Sequence, residues 1–140
     1  MKKVIIVLAL ALFCAGLSYA QTQTTADVPQ EKRGCFIELP KFAAKKIKKG
    51  AMVDVVITFK AILKGDNTPQ YMSATILQTM PVLDSGVEDG KGFIIISATP
   101  EEAQYLFLSQ AEGTVNVVLR NDKDTTVNKV RISTMKTLFN

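Results

Sequence analysis

The sequence predicts a small α+β domain, mainly β, in which one well-capped helix packs against a mixed or antiparallel sheet. Two observations support this fold class. Apolar residues alternate with other residues from Met52 onward, which is the two-residue period of a strand. Further along the chain, Thr99 and Pro100 followed by Glu102 form the start signal of a helix, which we place at about Pro100–Glu112.

The first 20 residues predict an export signal that is not part of the fold. Lys2 and Lys3 form its basic start, residues 4–15 its apolar centre, and residues 18–20 a small-x-small cleavage site. The apolar run is shorter than the roughly 20 residues of a membrane span, so cleavage is favoured over retention as an anchor. Residues 21–32 then predict a flexible lead-in, residues 33–134 the domain and residues 135–140 a tail.

Charge and cysteine content restrict the function. Without Lys2 and Lys3, the 17 basic residues become 15 against 13 acidic ones, which leaves a charge of only +2. This is too small for general binding to polyanions, so we expect no nucleic-acid partner. Cys35 is then the only cysteine, and its apolar neighbours predict burial, with an interchain disulfide as the alternative.

Short apolar and turn-forming segments predict the first half of the domain. Cys35–Leu39 is expected to be a short strand, and Pro40–Gly50 one or two turns of helix that end at a left-handed glycine. Met52–Leu63 and Tyr71–Leu83 predict two long strands, and the Gly, Asp, Asn and Pro residues between them favour an antiparallel hairpin. Pro81 is expected at an edge, a bulge or a bend because it has no N–H.

The second half is predicted to place the helix between strands. Asp84–Gly92 predicts a loop, and the continuously apolar Phe93–Ile96 a central strand covered on both faces. The helix ends at Gly113, and Thr114–Arg120 and Val127–Ser133 are expected to be the last strands. The predicted inner faces carry Val53, Val55, Ile57 and Phe59, then Ala103, Leu106, Phe107 and Gln110, then Val115, Val117 and Leu119. The phenylalanines assigned to the core are Phe36, Phe42, Phe59, Phe93 and Phe107.

The chain lacks the residues of the common catalytic and metal sites. It has no histidine, which excludes Ser-His-Asp and Cys-His catalysis, and its cysteine content makes a zinc site very improbable. No glycine-rich phosphate loop follows a strand. We therefore expect no enzyme, no cofactor and no metal. A hydrolase with paired carboxylates is the weakest of three hypotheses, with these candidates: Asp54, Asp66, Asp84, Glu88 and Asp89.

Two groups of charged residues are candidates for binding or for structure. The lysines Lys45, Lys46, Lys48 and Lys49 form a possible partner surface for an acidic protein, anionic lipid or cell wall, although a solvated face is favoured. Asp54 is unusual inside a strand. It is expected either to accept backbone hydrogen bonds that fix the turn after Gly50 or to pair with Arg120 across the sheet. Arg120 is followed by Asp122 and Asp124, which are expected to satisfy it locally.

A series of short motifs occurs in a fixed order along the chain. It consists of a Gly-x-x-Val-Asp-Val strand, Leu-Gln and Val-Leu pairs, a Thr-Pro-Glu-x-Ala-x-x-Leu helix, a glycine, and a strand ending in Leu-Arg near an aspartate. The residues that carry it are Gly50, Val53, Asp54, Val55, Leu77, Gln78, Val82, Leu83, Thr99, Pro100, Glu101, Ala103, Leu106, Gly113, Leu119, Arg120 and Asp124. The series resembles the Flp (tight-adherence, Tad) pilus assembly proteins of the RcpC/CpaB family, over roughly residues 33–125.

The resemblance implies a fold related to the region that follows the SAF (β-clip) domain of that family. It also implies a non-catalytic, periplasmic and secretin-associated function in pilus assembly, with pilus or secretin proteins as partners. Family members are generally longer and membrane-anchored, whereas the predicted signal here is cleavable, so we expect a free periplasmic module. The alternative is a secreted domain that binds glycan or cell wall through the lysines and the Asp84–Gly92 segment.

Overall fold

The computed structural model describes residues 27–138, and the predicted α+β, mainly β fold class is confirmed there. The export signal predicted at residues 1–20 and the first part of the lead-in, residues 21–26, lie outside the described residues. In chain order the elements are β1 (Arg33–Leu39), α1 (Lys41–Lys46), β2 (Met52–Ala61), β3 (Gln70–Glu88), β4 (Lys91–Ala98), α2 (Pro100–Glu112), β5 (Gly113–Leu119), β6 (Ser133–Thr134) and α3 (Met135–Leu138).

The long strand β3 connects the sheet because its two halves pair with different neighbours. Its first half, up to Pro81, pairs with β2, and its second half, from Val82, pairs with β4. The strand order is β1-β4-β3-β2-β5, with β6 beside the start of β3, and every pairing is antiparallel. Thr79, just before the point where β3 changes its partner, has a positive φ of 55°. Pro81 therefore lies at a bend, as predicted.

The predicted core faces of two strands are confirmed. In β2, Val53, Val55 and Ile57 are buried and alternate with less buried residues. In β4, which lies between β1 and β3, Ile94–Ile96 is buried throughout. A central strand covered on both faces needs no polar face, which explains its continuous apolar run.

Helix α2 begins as the sequence predicts, but it buries a different face. The Thr99 hydroxyl accepts from the Glu102 N–H at 3.2 Å, and the Thr99 N–H donates to the Glu102 carboxylate at 2.7 Å. Ala103 and Leu106 are buried as predicted, and the third buried residue of the helix is Ser109. The inward assignment of Phe107 and Gln110 is wrong because the helix is rotated toward Ser109.

Two glycines sit where the sequence places them, for different physical reasons. Gly50 has the predicted left-handed conformation, with a φ of 86°. However, α1 ends four residues earlier at Lys46, and Gly50 lies in the turn into β2, where its N–H donates to the Val82 carbonyl at 2.8 Å. Gly113 ends α2 in an extended conformation, with a φ of −163°. A side chain at Gly113 would collide with the Thr58 carbonyl of β2, so close approach of the backbone requires the glycine.

Two segments differ from the predicted secondary structure. Asp84–Gly92 is not a loop, because β3 continues to Glu88 and turns through Asp89-Gly90, both with positive φ, into β4. An Asp-Gly pair is well suited to such a two-residue hairpin turn. Val127–Ser133 is not a strand, and only the two residues of β6 are paired in that region. The C-terminal segment is held by side chains instead.

Three of the five phenylalanines assigned to the core are exposed. Phe36, Phe42 and Phe107 expose more than half of their surface, whereas Phe59 and Phe93 are partly buried. In β1, Cys35 and its alternate neighbours point inward, so Phe36 must point outward. Its ring packs beside that of Phe93, with centroids 6.0 Å apart.

Candidate functional site

Four polar residues of the motif series, Asp54, Gln78, Arg120 and Asp124, belong to one network around β2, β3 and the segment that follows β5. Asp54 lies in β2 opposite Val118 of β5, and Arg120 follows the end of β5. The Arg120 Nη1 donates to both carboxylate oxygens of Asp54, each at 2.9 Å. The Arg120 side chain is only 6% exposed, so the pair lies largely beneath the surface. The predicted pairing of Asp54 with Arg120 is confirmed.

A backbone irregularity gives Asp54 its second role. The register of β2 against β3 shifts on both sides of Val55, and Thr79 in β3 takes up the left-handed conformation. The Thr79 N–H donates at 2.8 Å to the Asp54 carboxylate. The carboxylate therefore satisfies a backbone donor at the bulge, because a bulge leaves one residue out of the ladder. The predicted backbone hydrogen bond exists, but it forms at Thr79 and not in the turn after Gly50.

Arg120 also holds the segment that follows β5. Its Nη2 lies 2.8 Å from the Asp124 carboxylate, and its Nε donates to the Asp124 carbonyl at 3.3 Å. The Asp124 carboxylate accepts from both the N–H and the hydroxyl of Thr126, at 3.0 and 2.6 Å. Of the two aspartates predicted to satisfy Arg120 locally, Asp124 is the one that does so.

Gln78 of β3 extends the network to the C-terminal segment. Its side-chain amide donates to the Asn128 carbonyl at 2.7 Å and accepts from the Asn128 N–H at 3.1 Å. Because the Gln78 side chain satisfies both the N–H and the C=O of Asn128, it takes the place of a strand pairing at that point. This explains how residues near Asn128 lie against β3 without forming the predicted strand.

The network alters two pKa values in the directions that hydrogen bonding requires. The hydrogen bond to Asp54 is the main cause that raises the pKa of Arg120 above its usual value. Hydrogen bonds from Thr126 are the main cause that lowers the pKa of Asp124, and Arg120 adds to the effect. Both shifts favour the charged forms, which is typical of a structural ion pair. The arrangement therefore fixes the fold by linking β2, β3 and the segment that follows β5.

The remaining motif residues are divided between core and surface. Val53, Val55, Ala103 and Leu106 are buried, whereas Pro100 and Glu101 are exposed in the first turn of α2. Glu101 accepts a hydrogen bond from the Tyr105 hydroxyl at 3.1 Å. Gly50 and Gly113 are required by backbone geometry, because Gly50 has a positive φ and Gly113 lies too close to β2 for a side chain. The inward assignment of Leu119 is wrong, because this residue is half exposed at the end of the edge strand β5, whereas Val115 and Val117 are partly buried as predicted.

The lysines of the predicted partner surface are all exposed, and three of them border grooves beside β5. One groove, of about 300 Å³, lies between α1 and β5 and is lined by Phe42, Lys46, Val117 and Leu119 among others. The second, of about 370 Å³, has Lys46, Lys48 and Lys49 on its wall, together with Leu119. The lysines are thus next to exposed apolar side chains and an edge strand. Lys45 lines neither groove.

Sequence reasoning did not identify β5 as an exposed edge strand. Val118 and Leu119 of β5 are 53% and 51% exposed, and Phe42, which lines a groove together with Leu119, is also exposed. A signal was available, because Gly113–Leu119 contains no charged residue and no proline. Natural edge strands are commonly protected by such residues.

The carboxylates of the hydrolase hypothesis are distributed over several elements. Asp54 is bound by Arg120, and Asp66 in the β2–β3 loop is bound by Lys136 at 3.0 Å. Asp84 and Glu88 belong to β3, and Asp89 to the turn into β4. Among residues 27–138, no group of three or more His, Cys, Asp or Glu residues is placed to hold a metal ion.

No helix within the described part of the chain has the length and apolar character needed to cross a membrane. Comparison of the chain with models of known protein families, with curated proteins and with solved structures found no match.

Proposed function

We propose that this protein is an exported, non-catalytic component of Flp (Tad)-type pilus assembly that binds other proteins of the periplasmic, secretin-associated machinery. The proposal rests on the ordered motif series and its resemblance to the RcpC/CpaB family. One structural observation supports a scaffold-and-surface function: Asp54, Gln78, Arg120 and Asp124, the polar motif residues within the sheet and its C-terminal extension, are occupied in one internal network. Chemistry at these residues would require breaking that network.

The exposed surface supports binding as the mode of action. Large apolar side chains are exposed on β1, α1, α2 and β5, including Phe36, Phe42, Phe107 and Val118. Exposed apolar groups next to polar residues are typical of protein–protein contact sites. The lysines beside β5 add a charged border, which favours an acidic partner surface.

The test of this function is made in the organism that carries the gene. Deletion of the gene is expected to abolish or reduce pili, and the tagged full chain is expected to recover secretin or pilus proteins from crosslinked cells. Complementation with the wild-type gene is the control. Intact pili after deletion, together with a pull-down that contains no secretin or pilus protein, would reject the proposal.

One observation favours the alternative of cell-wall or glycan binding. The segment 41–49 has five exposed lysines and no acidic residue, which suits an anionic polymer. The other half of that predicted surface, Asp84–Gly92, is a hairpin and not a mobile loop. Co-sedimentation with peptidoglycan that disappears when Lys45, Lys46, Lys48 and Lys49 are changed to Gln would favour this alternative over pilus assembly.

A further inference from the structure

We propose that the free edge of β5 binds an extended, acidic segment of a partner protein as an added antiparallel strand. This inference rests on the proposed protein-binding function and specifies the surface and the chemistry of the partner. The strand β5 lies at the end of the strand order, and among the described strands it pairs only with β2.

The hydrogen-bond pattern identifies which groups of β5 face outward. The Arg120 N–H donates to the Met52 carbonyl at 2.9 Å, so Arg120 and Met52 form a hydrogen-bonded pair. Such pairs alternate in an antiparallel ladder, and the register between the strands is unbroken. Val115, Val117 and Leu119 therefore direct their N–H and C=O groups away from β2. Gly113, on the same alternation, donates its N–H to Ser109 of α2.

The outward N–H and C=O groups of Val115, Val117 and Leu119 have no backbone partner within residues 27–138. The other end of the sheet differs, because Gln110 of α2 donates to the Phe36 carbonyl of β1 at 3.1 Å and so occupies a backbone acceptor there. An uncharged edge strand without proline is a template for a further strand. Addition of a strand to such an edge is an established mode of peptide recognition.

The surroundings of the edge determine the chemistry of the segment. The groove between α1 and β5 is lined mainly by apolar groups, with Phe42, Val117 and Leu119 among them, so it suits apolar side chains. Lys46, Lys48 and Lys49 line this groove and its neighbour, against one carboxylate, Asp122, so the lining carries a net positive charge. A segment with apolar residues in its centre and carboxylates at its ends complements both features.

The same charges argue against a second copy of this chain as the occupant. Antiparallel pairing of two β5 edges about a two-fold axis would bring both α1 helices to the same face of the joined sheet. The segment 41–49 carries five lysines and no acidic residue, so like charges would meet there. An acidic segment removes this repulsion.

The experiment measures binding of synthetic peptides to the full chain by fluorescence anisotropy. The probe is a capped peptide with a central run of alternating Val and Thr and glutamates at both ends, about nine residues long to span β5. One control peptide has lysines in place of the glutamates, and another has N-methylated central amides. We expect both controls to bind at least about tenfold more weakly than the probe.

Two matched pairs of variants locate the site. Val117→Pro removes an outward N–H without breaking the ladder to β2. Val117→Ala keeps that N–H and, like the proline variant, lacks the branched valine side chain. Only the proline variant is expected to lose probe binding, by about tenfold. Lys46→Glu with Lys49→Glu is expected to weaken binding severalfold, whereas Lys41→Glu with Lys45→Glu, which makes the same charge change away from both grooves, is not. If the proline variant does not fold, the comparison of the two lysine double variants still tests the proposal.

Several results would overturn the proposal. They are equal binding of the acidic and basic peptides, absence of probe binding to the wild-type chain, and equal effects of the two lysine pairs. A dimer in solution that Val117→Pro converts to a monomer would assign the edge to a second copy instead. Recovery of pilus proteins by a folded Val117→Pro variant at the wild-type level would reject the edge and leave the proposed function intact. Probe binding at the edge, with intact pili after gene deletion, would reject only the proposed function.

Discussion

Asp54 and Arg120 are 66 residues apart in the sequence, and their side chains form a two-oxygen ion pair at 2.9 Å in the structure. The pair links β2 to the chain that leaves β5, and the Thr79 N–H joins β3 to the same carboxylate. Three strands therefore depend on one aspartate. This relationship explains why a Val-Asp-Val strand and a Leu-Arg strand end belong together in the motif series: each supplies one half of a structural contact.

The first prediction concerns the charge of Asp54. Asp54→Asn is expected to lower the melting temperature by about 5–10 °C, because Arg120 and the Thr79 N–H lose their charged acceptor in a partly buried site. Asp122→Asn removes an exposed carboxylate from the neighbouring turn and is the matched control, with an expected change below about 2 °C. Thermal unfolding followed by circular dichroism measures both. Equal melting temperatures for the two variants would contradict a structural role for the pair.

The sequence predicted this contact because its signal was local and chemical. An aspartate inside a strand needs a partner, and Arg120 at the end of a predicted strand was an obvious candidate. The capped start of α2 and the buried runs of β2 and β4 were predictable for the same reason, since period and capping residues act over short distances.

The features that the sequence did not predict depend on tertiary contacts. The change of partner along β3, from β2 to β4, is decided by register between strands. The rotation of α2 that buries Ser109 is set by the sheet beneath it. The segment near Asn128 has strand-like apolar residues but is held by Gln78, a contact across 50 residues that no local pattern reveals. The binding edge of β5 follows from strand order, which sequence reasoning left open.

The second prediction tests the observed face of α2. Leu106 is fully buried, so Leu106→Ala is expected to lower the free energy of unfolding by about 2–5 kcal/mol through lost burial and a residual cavity. Phe107 is 57% exposed, so Phe107→Ala is expected to cost less than about 1 kcal/mol. Urea denaturation of the two variants measures the difference. A larger loss for the phenylalanine would mean that the helix buries the face that includes Phe107.

The third prediction separates two reasons for glycine. Gly113→Ala is expected to destabilise by about 1–3 kcal/mol or more, because its Cβ would meet the backbone of Thr58 in a closely packed strand pair. Gly65→Ala has open space around its Cβ, but its φ of 94° is strained for alanine, so a cost of about 1 kcal/mol is expected. The two variants are compared by urea denaturation. A larger cost at Gly65 would show that backbone conformation outweighs close approach in this fold.

The fourth prediction concerns Cys35, which is buried as the sequence predicted and 2% exposed. Burial raises the pKa of its thiol, and the charge of Glu102 raises it further. A protonated, inaccessible thiol reacts slowly. In a Cys14→Ser variant, iodoacetamide at pH 8 is therefore expected to label Cys35 at least about tenfold more slowly in the folded protein than in urea. Equal labelling rates, or a disulfide-linked dimer on a non-reducing gel, would favour the interchain alternative.

The fifth prediction concerns acid pH and the segment held by Arg120. Hydrogen bonds from Thr126, followed by the contact with Arg120, lower the pKa of Asp124 below its ordinary value of 3.8. Because the folded-state pKa lies below the unfolded one, the stabilisation is fully present above about pH 4 and is lost as the pH falls through the lowered pKa. The contribution is small since the Asp124 side chain is 45% exposed, so a local measurement is required.

The amide signal of Thr126 in NMR spectra provides that measurement. Above about pH 5 its chemical shift and its protection factor, the intrinsic exchange rate divided by the observed one, are expected to stay constant, and below about pH 4 the protection factor is expected to fall as Asp124 is protonated. Asp124→Asn is expected to show low protection throughout, with no such transition. In the described structure Asp124 is the carboxylate that accepts both hydrogen bonds from Thr126, so the Thr126 amide reports on this group. Protection that is unchanged to pH 2, or an unaltered transition in the asparagine variant, would mean that Asp124 does not anchor this segment.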